Sequence, residues 1–388
     1  MSSDKGYSAV KVALLLGACF LIESTVLAMY LGAPQIALDL GIHKAGLGIL
    51  GGVGSASYVL TCLWTGRLSD RRGRKALPVV GTAVIATGFM CMPLARNLAQ
   101  LCLCRAVTGL GHGMFWPCIE AWLGDESPAG DVLRTVGRFN LSWATVDIFA
   151  PVLWGRLYDF RPALLFHAGA AVALVPFLML LPLPAARREK VLQGDALLPP
   201  HPRWQTFLIA AWVANFFSYL CNGLITALFP ELARTFGYYG QGAGTFLALA
   251  YITRLAAFII APRTAFWLYK ARLQVGWQWA AIAGLLLIGL GNSGLVFGLA
   301  CALIGVSMGM SYSASMFYSL AAPQARGSRS AAHEIFVGLG MAVGPIFGGW
   351  LAQVFDSLRA PYYFGAAAVL FGIAVQCVLF LVGRRSRP

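Results

Sequence analysis

Four residues of one apolar stretch, Arg105, His112, Trp116 and Glu120, have types and spacing suited to proton or anion chemistry. At 100° per residue they lie within about 80° of one another, so on a helix they form a single stripe. A guanidinium biases the proton occupancy of any carboxyl group beside it, and an imidazole can relay the proton. Glu23, the lone acid deep inside the first apolar run, comes out at a similar depth and is the candidate for such a carboxyl group. A static ion pair is the plainer reading of Glu23 and Arg105, and a packed, hydrogen-bonded ring is the plainer reading of His112. Glu120 serves either this stripe or a loop network with Asp125 and Arg134.

Two further charges sit about ten residues inside otherwise apolar segments, Asp147 and Arg254. Neither is expected to face lipid unpaired. Paired with each other they would form a gate; the competing partners are Arg138 or Arg156 for Asp147, and Tyr251 or a helix carbonyl for Arg254. Polar residues at helical spacing form two more stripes. Asn215, Tyr219, Asn222 and Thr226 make one, and Ser307, Ser311, Ser315 and Tyr318 the other. Each suits either a cavity wall or hydrogen bonding between helices.

The elements that position these residues are set by composition. The chain is 59% hydrophobic and 11% charged, against about 25% charged residues in soluble domains. Its apolar residues come in blocks long enough to cross about 30 Å of hydrocarbon, such as Val12 to Tyr30 and Tyr362 to Val382. The expected fold is all-α and integral to the membrane, with twelve transmembrane helices. The first six spans are 9–31, 45–66, 76–95, 98–122, 135–157 and 163–182. The second six are 204–229, 243–262, 276–291, 294–320, 330–353 and 361–383. The proline- and charge-rich segment 184–203 divides a bundle of residues 1–183 from one of residues 204–388.

The net charge of +14 follows topology, with no nucleic-acid partner expected. Arg71, Arg72, Arg74, Lys75, Arg134, Arg187, Arg188 and Lys190 fall on the side shared by both tails, and few basic residues fall opposite. By the positive-inside rule both termini are expected in the cytoplasm. The first apolar stretch is long enough to span and is expected to remain in the mature chain. The nine cysteines lack metal or disulfide spacing and read as packing residues.

The halves also resemble each other. Pro151 and Gly155 follow Asn140 at the spacing at which Pro345 and Gly349 follow Glu334. Same-direction repeats of six spans are a transporter architecture.

The sharpest motif is Gly66-Arg-Leu-Ser-Asp70-Arg-Arg-Gly73-Arg74-Lys75, between the second and third spans. It resembles the Gly-x-x-x-Asp-x-x-Gly-Arg-Lys signature of the major facilitator superfamily. The run from Arg105 through Gly109 and Gly111 is similar to a second motif of that family, tied to proton coupling in many members. Thr108 stands where many members have Gln. The resemblance implies two parallel six-helix repeats working by alternating access. It implies that Asp70 latches one state against the start of the eleventh helix, and that spans one, four, seven and ten line a central pathway. Asn215, Tyr219, Asn222, Ser307, Ser311 and Ser315 would then line the cavity. The family's antiporter motif belongs on the fifth span; here Gly340-x-x-x-Gly344-Pro345 on the eleventh resembles it, and close packing of small residues explains that run equally.

The expectation is a monomeric secondary transporter of a small organic solute in the cytoplasmic membrane, proton-coupled through Glu23, with no cofactor or metal. A facilitator or organic-anion carrier using Arg105 as counter-ion is the alternative within transport. A receptor or assembly factor that no longer cycles is the alternative of another class. The chain has no Gly-x-x-x-x-Gly-Lys-Ser/Thr loop for ATP and no nucleophile motif, so an enzyme is not expected.

Overall fold

The computed structural model describes residues 2–126, 132–184, 201–264, 266–320 and 326–385, and among these the regular structure is entirely helical. The first four spans are α1 (Ser2–Asp39), α2 (Ala45–Arg72), α3 (Ala76–Cys91) and α4 (Leu98–Asp125). The fifth is split into α5 (Val132–Val146) and α6 (Ala150–Phe160), and α7 (Pro162–Leu180) is the sixth. In the second half α8 (Trp204–Ala227) leads into the short α9 (Phe229–Arg234), followed by α10 (Gly240–Thr264). The ninth span is α11 (Ala271–Gly276) with α12 (Gln278–Leu290). The last three are α13 (Gly294–Leu320), α14 (Arg326–Val354) and α15 (Ala360–Arg385).

Among the described residues ten helical segments are long and apolar enough to cross a membrane. The other two crossings are α4 and the split fifth span. Polar side chains on the inner stripe of α4 lower its apolar character, and the fifth span is interrupted. This interruption differs from the continuous helix expected over 135–157, and Pro151 explains it. Proline has no N–H to donate to the carbonyl four residues back, which here belongs to Asp147. The chain turns instead, with Ile148 N–H donating to the Thr145 carbonyl at 3.4 Å and Phe149 N–H to that of Val146 at 3.3 Å. Pro117 leaves α4 continuous because a neighbour takes the acceptor it orphans: the Thr65 hydroxyl donates to the Gly113 carbonyl at 2.9 Å.

Two seams join the halves, α2 along α14 and α6 along α10. Both are backbone-close. A Cβ on Gly48 would lie 2.2 Å from the Pro345 carbonyl oxygen, and a Cβ on Gly244 would lie 2.2 Å from that of Pro151. The two repeated prolines therefore do the same work, each offering its carbonyl face to a glycine of the opposite half. The Gly344-Pro345 region is accordingly a packing surface.

The seams are strongest at the end of the bundle opposite the termini. There the Arg234 guanidinium donates to Asp39 at 2.8 Å and, through Nε, to Gln35 at 2.7 Å. Glu231 accepts from the Lys44 backbone N–H at 2.9 Å and meets His43 Nδ1 at 2.9 Å. The Asp159 carboxylate accepts from the N–H groups of Gly240 (3.0 Å) and Gln241 (2.7 Å) at the start of α10, where a helix carries partial positive charge. Lys44 pairs with Asp356, whose carboxyl group this contact holds below the ordinary carboxylate range. The end opposite the termini is closed.

Candidate functional site

Residues of both halves enclose a central cavity of about 150 Å³. Its wall carries Glu23 and Tyr30 from α1, Gly54 and Tyr58 from α2, and Arg105, His112, Trp116 and Glu120 from α4. Phe139 and Trp143 of α5 add to the first half's share. The second half supplies Tyr219 and Asn222 from α8, Tyr251 and Arg254 from α10, Tyr312 from α13, and Glu334 and Met341 from α14. The whole predicted α4 stripe therefore faces one void. Aromatic rings form most of the remaining wall.

Glu23 and Arg105 share this cavity without forming an ion pair among the described residues. The group that meets the guanidinium is Tyr30, whose ring centroid lies 5.6 Å from Arg105 Cζ. Tyr30 is seven residues further along α1 than Glu23, so Glu23 sits about 10 Å away along the axis. The expected pairing placed the two at one depth, and the register of α1 against α4 separates them. Arg105 lies over Gly54, where a Cβ would come within 2.6 Å of its terminal nitrogen. Its Nε has no hydrogen-bond partner. His112 Nε2 meets the Thr25 hydroxyl at 3.2 Å.

Asp147 and Arg254 form a buried ion pair between the halves. Asp147 occupies the turn between α5 and α6 and is 0% exposed. Tyr251 stacks on the Arg254 guanidinium at 4.4 Å and Trp143 at 5.3 Å. The own-half partners considered for Asp147 are excluded by position, since Arg138 and Arg156 are exposed. The second oxygen of Asp147 has no donor, and Glu23 lies close enough for one proton to bridge the two carboxyl groups.

The polar stripes divide. Tyr219 and Asn222 reach the cavity, Asn222 accepting from the Tyr251 hydroxyl at 3.4 Å. Asn215, Ser307, Ser311 and Ser315 do not line it. Asn215 and Ser315 bind His333 Nδ1 at 3.4 and 2.7 Å, and Ser311 accepts from Trp277 Nε1 at 3.2 Å. Ser307 is buried between helices. These four belong to packing inside the second half. Spacing identified the polar face of α13, and that face turns to its neighbours because Tyr312 takes the cavity side.

Sequence reading used Glu334 only as a marker of the repeat and did not single out Tyr58. The Tyr58 hydroxyl donates to Glu334 at 3.2 Å across the α2–α14 seam. Glu334 is an acid inside an apolar span, the signal that identified Asp147. In the Asp70 loop, Gly73 adopts φ 94°, Arg74 donates to the Ser69 hydroxyl at 3.2 Å, and Lys75 donates to the Leu181 carbonyl at 2.6 Å. The side chains at 66 and 70 lie outside the described residues. So do most of the segment 184–203 and residues 321–325.

The cavity between two six-span halves, closed at one end, is the geometry of a carrier. The family description Major Facilitator Superfamily matches residues 13–321. The chain belongs to the major facilitator superfamily. Among superfamily relatives it is 21% identical to the quinolone resistance protein NorA of Staphylococcus aureus over 359 residues, 89% of this chain and 90% of that protein. It is 30% identical to the multidrug resistance protein MdtL of Klebsiella pneumoniae (strain 342) over 126 residues, 32% of each. Two solved superfamily structures share the fold. One is a bacterial homologue of the human lysosomal transporter Spinster, inward-facing and occupied, with TM-score 0.72, 16% identity and coverage of 99% of this chain and 97% of that one. The other is the nucleoside transporter NupG, with TM-score 0.74, 13% identity and coverage of 95% of this chain and 99% of that one.

Proposed function

We propose that this chain is a proton-coupled secondary transporter that moves a small organic solute across the cytoplasmic membrane by alternating access. Export is the direction suggested by its similarity to proteins named for quinolone and multidrug resistance. In this reading the termini are cytoplasmic, residues 1–183 and 204–388 are the two moving bundles, and Asp70 latches one state. The carrier works as a monomer in lipid, without a cofactor.

One observation carries the coupling: the unpartnered oxygen of Asp147, facing Glu23 at the ion pair that ties the halves together. With a proton on Glu23, that oxygen accepts a hydrogen bond and the Asp147–Arg254 pair is left intact. Without it, two carboxylates compete for one guanidinium in a site with little water, and the tie between α5–α6 and α10 weakens. Proton release thus couples to separation of the halves.

The test uses purified protein in liposomes enclosing a pH-sensitive dye. Lipophilic fluorescent solutes are added under an imposed pH gradient, with and without protonophore. Solute movement accompanied by proton movement is expected for the wild type, and Glu23→Gln should keep binding while losing gradient-driven accumulation. Full accumulation by that variant defeats the coupling. Movement indifferent to the gradient in both proteins supports the facilitator reading, which Arg105, a cation without a carboxylate partner among the described residues, favours.

A further inference from the structure

We propose that Arg105 and Glu334 are the two poles of a binding site for a zwitterionic, amphipathic solute, an assignment that rests on the transport reading above. Arg105 receives an anionic group such as a carboxylate, and Glu334 receives an ammonium.

Arg105 is 5% exposed, and its guanidinium faces the cavity with no carboxylate within ion-pairing distance among the described residues. A guanidinium at this depth is costly unless a counter-charge reaches it. Tyr30 supplies its ring face, and Nε has no acceptor among the described residues. Arg254, by contrast, is committed to Asp147. On the far side of Arg105 lies a second void of only about 10 Å³, walled by Tyr30, Arg105 and Met341 among others. The guanidinium thus stands at the blind end of the cavity, where a solute's anionic group comes to rest.

Glu334 lies on the opposite half. It accepts from Tyr58, and its nearest nitrogen of potential charge is His333 Nε2 at 3.8 Å. No Lys or Arg pairs with it among the described residues. Arg105 lies over Gly54 of α2, and along the α2–α14 seam Gly52 meets Ala342 and Val59 meets Gly338, so Met341 is near the depth of Arg105; Glu334 precedes Met341 by seven residues of α14. The poles are therefore separated by about 10 Å along the axis. On the wall around them stand Tyr58, Tyr219 and Tyr312, ring faces that suit an apolar skeleton and an ammonium group. Glu23 faces Asp147 and is left to the proton. Since one pole belongs to each half, a solute that satisfies both draws the halves onto itself.

The test uses three fluorescent probes on one aryl skeleton: a zwitterion with ammonium and carboxylate about 10 Å apart, its methyl ester, and its N-acetyl derivative. Binding to purified protein in nanodiscs is followed by anisotropy. The zwitterion is expected to bind at least about tenfold more tightly than either derivative. Arg105→Gln should lower zwitterion affinity to that of the ester while leaving the ester unchanged. Glu334→Gln should lower it to that of the N-acetyl probe while leaving that probe unchanged. The unchanged affinities show that the variants are folded, and the wild-type ranking decides the solute class even where a variant fails to fold. Equal binding of the three probes, preference for a singly charged one, no binding, or a zwitterion preference untouched by both substitutions overturns the assignment. Glu23→Gln separates the two proposals: it should abolish gradient-driven accumulation and keep the zwitterion preference, so loss of proton coupling in the wild type with that preference intact sinks the coupling alone.

Discussion

Arg105 and Arg254 are guanidinium groups on the wall of the same cavity, one from each half, and their surroundings differ. Around Arg254 the fold supplies everything: a carboxylate from the opposite half, two aromatic faces, and a turn of the fifth span that brings Asp147 to it. Around Arg105 it supplies a ring and a glycine, and no counter-ion among the described residues. The first arrangement stabilises one packing of the halves. The second is incomplete until something enters the cavity. Buried charge in this carrier is thus divided between structure and ligand, and substitution tells the two apart.

The largest effect is expected at the completed pair. Arg254→Gln strands a buried carboxylate and should cost about 3–5 kcal/mol, read as a lowered thermal unfolding midpoint in detergent. Asp147→Asn with Arg254→Gln should recover most of that loss, and the exchange Asp147→Arg with Arg254→Asp should recover part of transport. Simple additivity of the single losses would dissolve the pair. Next comes the seam that the pair reinforces. Gly48→Ala places a methyl group against the Pro345 carbonyl and should cost about 1–3 kcal/mol. Distances between spin labels in the 40–44 and 355–359 loops should lengthen; an unchanged distribution would show that the seam does not hold that end shut.

Arg105→Gln supplies the contrast. With no ion pair to lose, stability should change by on the order of 1 kcal/mol or less, in either direction, while solute-driven transport disappears. A loss as large as that of Arg254→Gln would erase the distinction between the two arginines. The smallest effect belongs to the exposed Lys44–Asp356 pair. Its carboxyl group titrates below the ordinary value in the folded chain, so the contribution is present above the unfolded value, near pH 4, and is lost as pH falls through the lower folded value. Asp356→Asn should therefore lower the unfolding midpoint slightly and by a constant amount between about pH 5 and 8, with the difference closing along the acid limb; a difference that persists in acid would mean that it does not come from the charge of this carboxylate.

The spans, the repeat and the positions of Asp147 and Arg254 were legible because a membrane leaves few alternatives for apolar runs and lone charges. Depth was less legible. Glu23 and Arg105 come out level when counted from span ends, yet α1 runs on to Asp39 and Tyr30 takes the place opposite the guanidinium. Direction was not legible at all for Ser307, Ser311 and Ser315, because periodicity groups residues on a face without saying which neighbour the face meets. The break at Asp147 could have been read from Pro151, and Glu334 from the rule that identified Asp147.

The interrupted fifth span has a consequence for biosynthesis. Asp147 is made 107 residues before Arg254. At about 5–20 residues per second, the carboxylate waits on the order of 5–20 seconds for its counter-ion. During that interval the segment is neither continuous enough nor apolar enough to settle alone in lipid, and α4, with Arg105 exposed on its stripe, shares the predicament. The fifth span is expected to linger at the translocon or against α1 until α10 emerges, so the final pairing of charges also sets the moment at which the first bundle can leave the machinery that inserts it.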